Sequence, residues 1–365
     1  MEHIEYVYWL SCIKGIGCVK AGNLIEKFGS EEEIFKASRQ SLCEVKGLNK
    51  TDIDEILHSK NMENIKYSYE KMEKNNIHLT YKGHEYYPKK LYNIYNSPYS
   101  LFYKGRLPYE DKPSVAVVGA RNASHRGCET AKKIGKELSE NGVQVISGLA
   151  RGIDISSQIG ALMIAGGRTF AVLGCGADIC YPRQNIEQYM LIQENGGIIS
   201  EYSLGMPPVA GNFPMRNRII SGLSDGILVI EAREGSGSLI TAELGLEQGK
   251  DIFVVPGNID DSLYSGSNEL IKSGAALVTD TRDIMDAIGI FNDDSIDKHK
   301  KKVEVMLETT EKMVYSSLSL EPAHVSEISL RCGLSIANTM EILLKLEMQK
   351  LVFVAGSNYY ALRLV

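Results

Sequence analysis

Short apolar runs rich in β-branched residues recur through the middle of the chain, separated by longer stretches of helical character. The runs fall at 115–118, 144–146, 169–173, 197–201, 227–230, 252–255 and 276–278. They do not alternate with polar residues, which is expected when both faces of a sheet are covered. The pattern predicts an α/β fold, a Rossmann-like doubly wound parallel sheet with right-handed crossovers.

Residues 1–75 are predicted to form a separate helical domain. Two turns in it, at Gly15–Gly17 and at Gly47–Asn49, each lead into a helix in the pattern of a helix–hairpin–helix pair. Such turns can expose backbone N–H groups to a phosphate. The alternative is that the glycines only permit a tight turn between helices. The sequence leaves both interpretations open.

A tyrosine-rich, proline-containing stretch at 76–112 predicts an extension packed against the sheet, so the sheet domain is placed at 76–290. A charged linker is predicted at 291–302. Beyond it, helical patterns at 303–318, 324–332 and 335–350 precede two short strands at 351–354 and 359–362, which predicts a winged helix over 303–365. Its third helix carries Glu341 and Glu347 beside Lys345 and no arginine, which favours protein contact or stabilisation over reading the major groove.

Composition narrows the function classes. The chain has 365 residues, 44% of them hydrophobic, and a net charge of −6, which argues against a broadly basic surface that coats nucleic acid. No apolar run reaches membrane-spanning length and the N-terminus lacks a basic region, so a cytoplasmic protein without membrane contact is expected. Seven cysteines without C-x-x-C spacing predict reduced thiols, with no metal and no cofactor.

The stretch 213–222 concentrates groups suited to nucleic acid. Phe213, Arg216, Asn217 and Arg218 fall at the entry to a predicted helix. Guanidinium groups match phosphate oxygens, and an aromatic face can stack a base. The stretch holds no catalytic dyad, so it predicts binding rather than chemistry.

Further anion-suited loops follow the predicted strands. One loop contains Gly119, Arg121 and Ser124, another contains Arg183, and a third contains Ser238 and Thr241 at a helix start. Helix N-termini attract anions, and ligands of such sheets bind outside the carboxyl ends of the strands. The first loop is neither a Walker A loop nor a G-x-G-x-x-G fingerprint. For each arginine the alternative is an ion pair with an acid such as Asp154, Asp178 or Glu201.

These motifs carry a family resemblance. The chain resembles the DNA-processing protein A (DprA/Smf) family of bacterial natural transformation. The matching runs are Y-P-x-x-L-x-x-I at 87–94, V-V-G-A-R-x-x-S-x-x-G at 117–127, S-G-L-A-R-G-I-D at 147–154, G-x-x-x-x-Y-P-x-x-N at 176–185, I-S-E-Y at 199–202, F-P-x-R-N-R-I-I-S-G-L-S at 213–224, E-A-x-x-x-S-G-S-L-I-T-A at 231–242 and V-P-G at 255–257. The terminal domains resemble the family's sterile-alpha-motif-like or helix–hairpin–helix module and its winged helix.

The resemblance implies a protein that binds single-stranded DNA without sequence preference, protects incoming strands and loads the recombinase RecA, acting as a homodimer. The DNA site that it implies comprises Gly119, Arg121, Ser124, Arg183, Phe213, Arg216, Asn217 and Arg218, with Ser238 and Thr241 in the matching small-residue loop. This chain departs from the family pattern at Gln158, where a histidine is usual, and at Arg126, where a tyrosine is common.

An enzyme is the alternative. The sheet resembles that of nucleotide phosphoribohydrolases of the lysine-decarboxylase-like group, which carry a catalytic glutamate in a P-G-G-x-G-T-x-x-E loop. Thr241 falls where that glutamate would be, and Glu243 is two residues further, on another face of the helix. No catalytic residue is therefore predicted. A sensor of small nucleotides that uses the same pocket is a third interpretation.

Overall fold

The computed structural model describes residues 2–290, 309–319, 322–349 and 351–362. The chain forms two compact units, Met1–Ile290 and Phe291–Val365. Residues on both sides of the domain boundary predicted at 75 belong to the first unit. The predicted linker at 291–302 and the start of the predicted helix at 303–318 lie outside the described residues.

Six helices begin the first unit. They are α1 (His3–Cys12), α2 (Cys18–Phe28), α3 (Glu31–Lys36), α4 (Arg39–Cys43), α5 (Lys50–His58) and α6 (Met62–Lys74). The glycine turns before α2 and α5 have φ values of 85° at Gly15 and 83° at Gly47, a region that favours glycine. Lys20 donates to both carboxylate oxygens of Asp52, at 2.7 and 2.8 Å, and to the Gly15 carbonyl. This lysine therefore ties the two hairpins together.

A nine-stranded sheet follows. Its strands are β1 (His78–Tyr81), β2 (Ser100–Gly105), β3 (Ser114–Gly119), β4 (Gln144–Ser147), β5 (Thr169–Val172), β6 (Gly197–Ser200), β7 (Gly226–Ile230), β8 (Asp251–Val254) and β9 (Ala276–Leu277). Their order is β1-β2-β6-β5-β4-β3-β7-β8-β9. The strands from β3 to β9 pair in parallel, which confirms the predicted doubly wound sheet.

The strand order reverses between β3 and β7. From β3 the chain builds outward through β4, β5 and β6, and it then restarts at β7 on the other side of β3. Loops that leave β3 and β7 must therefore diverge toward opposite sides of the sheet. In open α/β sheets the crevice outside the carboxyl ends at such a switch point is the usual ligand site.

Seven helices cover the sheet. They are α7 (His125–Glu140), α8 (Ile153–Leu162), α9 (Ile186–Asn195), α10 (Asn212–Gly222), α11 (Gly237–Glu247), α12 (Ser265–Lys272) and α13 (Thr281–Ala287). Val115 and Val117 pack with α7 and α8 in one apolar cluster, whereas Ala116 and Val118 pack with α10 and α11 in another. Successive strand residues thus enter cores on opposite faces, which explains the continuous apolar runs.

The second unit has its own core. It comprises α14 (Thr309–Ser316), β10 (Ala323–His324), α15 (Val325–Cys332), α16 (Ile336–Met348), β11 (Val352–Gly356) and β12 (Tyr359–Leu362). The strands form a small sheet in the order β10-β12-β11. Ile328, Leu343 and Val352 are buried together in its core. The arrangement confirms the predicted winged helix.

Among the helices that the structure describes, none combines the length and apolarity that crossing a membrane requires.

Candidate nucleic-acid interface

A groove of about 750 Å³ opens where β3 and β7 end. The loops that follow these strands form its walls together with the first turns of α10 and α11. It therefore occupies the switch point of the sheet, as the fold predicts. The predicted site residues that line it are Gly119, Arg121, Phe213, Arg216, Asn217, Ser238 and Thr241. Ser124, Arg183 and Arg218 are not among its lining residues.

An aromatic ring and two guanidinium groups meet in this groove. The half-buried ring of Phe213 has the guanidinium carbon of Arg121 at 5.3 Å from its centroid and that of Arg216 at 5.9 Å. Both distances are within the range of cation–π attraction. The ring of Tyr181 lies 5.6 Å from that of Phe213, at an interplanar angle of 35°. The exposed Arg121 and the two rings offer charge and flat apolar surface at one place.

Arg216 lies beneath this cluster and is only 4% exposed. Its guanidinium donates to the backbone carbonyls of Gly148, at 3.1 Å, and of Val172. Burial lowers the pKa of Arg216 to about 10, and the charge of Arg121 acts in the same direction. Burial raises the pKa of the nearby Asp154, although the charge of Arg216 opposes the shift. Arg216 therefore contributes a fixed positive charge from below the groove, with part of its guanidinium already hydrogen-bonded.

The start of α11 forms the opposite wall. Ser236 caps this helix, and its hydroxyl lies 2.8 Å from that of Ser238. Gly235, Ser236, Gly237 and Ser238 all line the groove. Asn217 on α10 donates to the Gly237 carbonyl at 3.2 Å, which holds the loop against α10. Helix N-termini with small residues and hydroxyls suit an anion such as phosphate.

Gly119 permits the close packing on which the groove depends. A Cβ added at this residue would overlap the carbonyl oxygen of Ile230 on β7 and the side chain of Ile153. Only glycine therefore lets β3, β7 and the start of α8 approach this closely. The role of Gly119 is to shape the groove floor beside Arg121.

Ser124 forms its hydrogen bonds within the protein, whereas its motif predicts contact with an anion. Its hydroxyl accepts a hydrogen bond from the backbone N–H of Gly127, at 2.9 Å, as the cap of α7, and it donates to the Glu231 carboxylate. The backbone N–H of Ser124 donates to the same carboxylate at 2.7 Å, and the Tyr264 hydroxyl donates to it at 2.9 Å. Ser124 thus positions the loop that carries Arg121 instead of facing the groove.

Arg218 is also held by the protein itself. Its guanidinium pairs with Glu201 through two contacts, at 2.8 and 2.5 Å, and donates to the carbonyls of Asn96 and Met215. Burial alone would lower the pKa of Arg218, but the hydrogen bonds and charge of Glu201 outweigh burial and raise it. From the sequence, the alternative to DNA contact for each arginine was an ion pair with an acid such as Glu201. The structure has this ion pair at Arg218. Arg183 is exposed, in a short 3₁₀ turn at Arg183–Asn185 outside the groove lining.

Several residues at the site escaped the sequence prediction. Tyr181 and Arg233 line the groove and are exposed, and Glu231 is fully buried behind it. Tyr181 and Glu231 fall within the family motifs, and Arg233 follows the end of β7. Membership of a motif, or a place after a strand, was therefore the signal that could have identified these residues.

Gln158 is buried and donates to the Phe170 carbonyl at 3.1 Å, so this departure from the family pattern lies in the packed interior. The described residues include no cluster of three or more potential metal-binding side chains.

Models of two protein families match the chain. The model described as "DNA recombination-mediator protein A" matches residues 78–289, and the model described as "DprA winged helix domain" matches residues 300–355. The first match contains the sheet and the groove, and the second falls on the winged helix. Both therefore agree with the order of elements in the structure.

Known relatives and solved structures extend these matches. The chain is 37% identical over 296 residues to Protein Smf of Synechocystis sp., covering 79% of this chain and 74% of the relative. The X-ray structure of DNA processing protein A from Streptococcus pneumoniae is 34% identical, with a TM-score of 0.68, over 78% of this chain and 98% of that one. A Helicobacter pylori DNA processing protein A, described for its single-stranded DNA binding mode, is 29% identical, with a TM-score of 0.53, over 58% of this chain and 95% of that one.

Proposed function

The chain belongs to the DNA recombination-mediator protein A family, and we propose that its groove binds single-stranded DNA without sequence preference. The observation that carries the proposal is the cluster of Phe213, Tyr181 and Arg121 beside the N-terminus of α11. Rings stack on bases of any type, while exposed guanidinium groups and helix N-termini bind phosphates. The H. pylori relative, described as binding single-stranded DNA, supports this choice of ligand.

A single strand fits this chemistry better than a duplex. Base faces are available for stacking on Phe213 and Tyr181 only where the bases are not stacked on one another in a helix. The groove is formed by loops at the carboxyl ends of β3 and β7 and by the first turns of α10 and α11, and it presents the rings of Phe213 and Tyr181. Recognition through ring faces and phosphates accounts for the absence of sequence preference.

The residues proposed to contact DNA differ in part from those predicted. Arg121, Phe213, Asn217, Ser238 and Thr241 keep this role, with Arg216 acting through its charge from below. Tyr181 and Arg233 join them because they line the same groove. Gly119, Ser124 and Arg218 shape or hold the site, and Arg183 is proposed to contact DNA beyond the groove.

We infer the partners from family membership. The family description, a recombination mediator, supports delivery of the bound strand to RecA. A homodimer that protects incoming strands in the cytoplasm is proposed on the same ground. Sedimentation would test the dimer, and RecA filament assembly on protein-coated DNA would test the delivery.

A catalytic role is not proposed. Thr241 occupies the groove at the position where a phosphoribohydrolase would carry its glutamate, and Glu243 is exposed outside the groove lining. Incubation with nucleoside monophosphates followed by detection of free base would test the hydrolase alternative directly.

A titration with three ligands tests the proposed function. Fluorescence binding curves would be measured for a single-stranded oligonucleotide, the matching duplex and a mononucleotide, at two salt concentrations. We expect the single strand to bind most tightly and its affinity to fall with salt, by about 0.7 in log K per log salt for each phosphate contacted. Tighter binding of the duplex would contradict the proposal, and tighter binding of the mononucleotide would favour a nucleotide sensor.

A further inference from the structure

A second cavity, of about 370 Å³, lies beside the first groove. Three consecutive residues at the start of α10 connect the two: Phe213 lines the groove, Met215 lines the second cavity and Pro214 lines both. Pro214 is exposed and belongs to the walls of both, so the groove and the second cavity adjoin at this residue. A ligand chain that leaves the groove past Pro214 has the second cavity next to it.

The second cavity has the apolar walls that a base requires. Ile94, Tyr95, Met215 and Leu244 line it, and Tyr95 is 79% exposed. Exposure of a single aromatic residue is ordinary on a protein surface. At this place, however, Tyr95 and the exposed Met215 line one cavity, which adjoins a groove already lined by aromatic rings.

Charges in the second cavity are largely offset. Lys90 pairs with Asp225 at 2.8 Å, and Arg218 pairs with Glu201. Lys250 and Glu247 add one charge of each sign. The cavity is therefore nearly neutral, whereas the groove has Arg121, Arg216 and Arg233 against Asp154 and Glu234. The second cavity thus suits a nucleobase better than a phosphate.

We propose that a single strand bound in the groove crosses Pro214 and stacks a base on Tyr95 in the second cavity. The proposal rests on the proposed function, since it assigns the path of the same strand beyond the groove. Stacking on an aromatic face tolerates any base, so the second cavity adds affinity without adding sequence preference.

The test compares Tyr95→Ala with Tyr86→Ala in the full chain, using oligonucleotides of about four and about sixteen nucleotides, the range of strand lengths that single binding folds occupy. Tyr86 is a matched control because it is 63% exposed and lines neither cavity. We expect Tyr95→Ala to weaken binding of the longer strand by about 5- to 150-fold, the effect of losing one stacked base. Binding of the shorter strand and the salt slope should not change, and Tyr95→Phe should bind like the parent.

Equal binding of the longer strand by Tyr95→Ala and the parent would overturn the proposal while leaving the proposed function intact. An equal loss for both lengths, or the same loss in Tyr86→Ala, would also overturn it, because neither would report a base placed at Tyr95. If the parent protein binds neither strand length, the proposed function itself fails. Thermal denaturation of each variant would establish that the fold is kept.

Discussion

Arg216 and Arg218 differ in role although they are two residues apart and have the same side chain. Residues at this spacing do not face each other on a helix. Arg216 consequently lines the groove, whereas Arg218 turns toward Glu201 on the other side of α10. Both are 4% exposed, so neither has a fully free guanidinium. The exposed Arg121 is the arginine from the original set that remains best placed to bind a phosphate.

Removing Arg218 should damage stability rather than DNA contact. Arg218→Ala leaves Glu201 without its partner in a largely buried position, which should lower the free energy of unfolding by about 3–5 kcal/mol. Urea denaturation measures this loss. The paired replacement of Arg218 and Glu201 by methionine should recover most of it, because no unpaired charge remains buried. An unchanged unfolding midpoint in Arg218→Ala, or a folded variant that no longer binds single strands, would refute this role.

The sequence predicted which groups are near the site better than it predicted their partners. Phe213, Arg121 and Ser238 lie together because they follow strands whose carboxyl ends meet, and strand positions are readable from apolar runs. The partner of Ser124 is not readable in this way, and Glu201 was only one of three acids that the sequence offered as partners of the arginines. Glu231 is 107 residues from Ser124 along the chain, and Glu201 is 17 residues from Arg218. Only folding brings each pair into hydrogen-bonding distance.

The two strands at the β1 end of the sheet also escaped prediction. The apolar, β-branched pattern that identifies β3 to β8 reflects burial on both faces of the sheet. β1 and β2 join the sheet in antiparallel orientation, and their tyrosines are partly exposed. Tyr81 and Tyr103 therefore made the stretch resemble an irregular aromatic extension. Leu79 and Phe102 in these strands pack against the N-terminal helices, so β1 and β2 join the helices to the sheet.

Glu231 connects the elements around the groove. It follows β7, and its carboxylate accepts three hydrogen bonds, two from Ser124 before α7 and one from Tyr264 before α12. Its φ of 51° is unusual for a residue other than glycine. The loop between β3 and α7, which carries Arg121, is thereby fixed to the end of the neighbouring strand. The geometry of the groove depends on this buried carboxylate.

Glu231→Gln should weaken both the fold and DNA binding. The amide that replaces one carboxylate oxygen would face a hydrogen-bond donor, so the free energy of unfolding should fall by about 1–3 kcal/mol. Single-strand affinity should fall as well, because the loop that holds Arg121 is released. Glu243→Gln is the matched control, since Glu243 is exposed on α11 outside the groove lining and should alter neither quantity. Parent-like stability and affinity in Glu231→Gln would exclude this positioning role.

The molecule as a whole carries a net charge of −6, so long-range attraction cannot account for binding to an anionic strand. Favourable charge must therefore be local, and in the groove Arg121, Arg216 and Arg233 outnumber Asp154 and Glu234 beside the N-terminus of α11. In the second unit, α16 exposes Ile336, Met340, Leu344 and Met348 at intervals of four residues. This apolar face agrees with the prediction that the winged helix makes protein contacts, which stays a prediction.

The salt dependence of single-strand binding in Arg121→Ala tests the groove most directly. The control is Arg106→Ala, because Arg106 is exposed beside the start of β6, at the opposite edge of the sheet. We expect Arg121→Ala to weaken binding by about 2 kcal/mol, roughly 30-fold, and to reduce the salt slope by about 0.7 through the loss of one phosphate contact. Arg106→Ala should bind like the parent. A folded Arg121→Ala protein with the parent's affinity and salt slope would show that the strand does not bind in this groove.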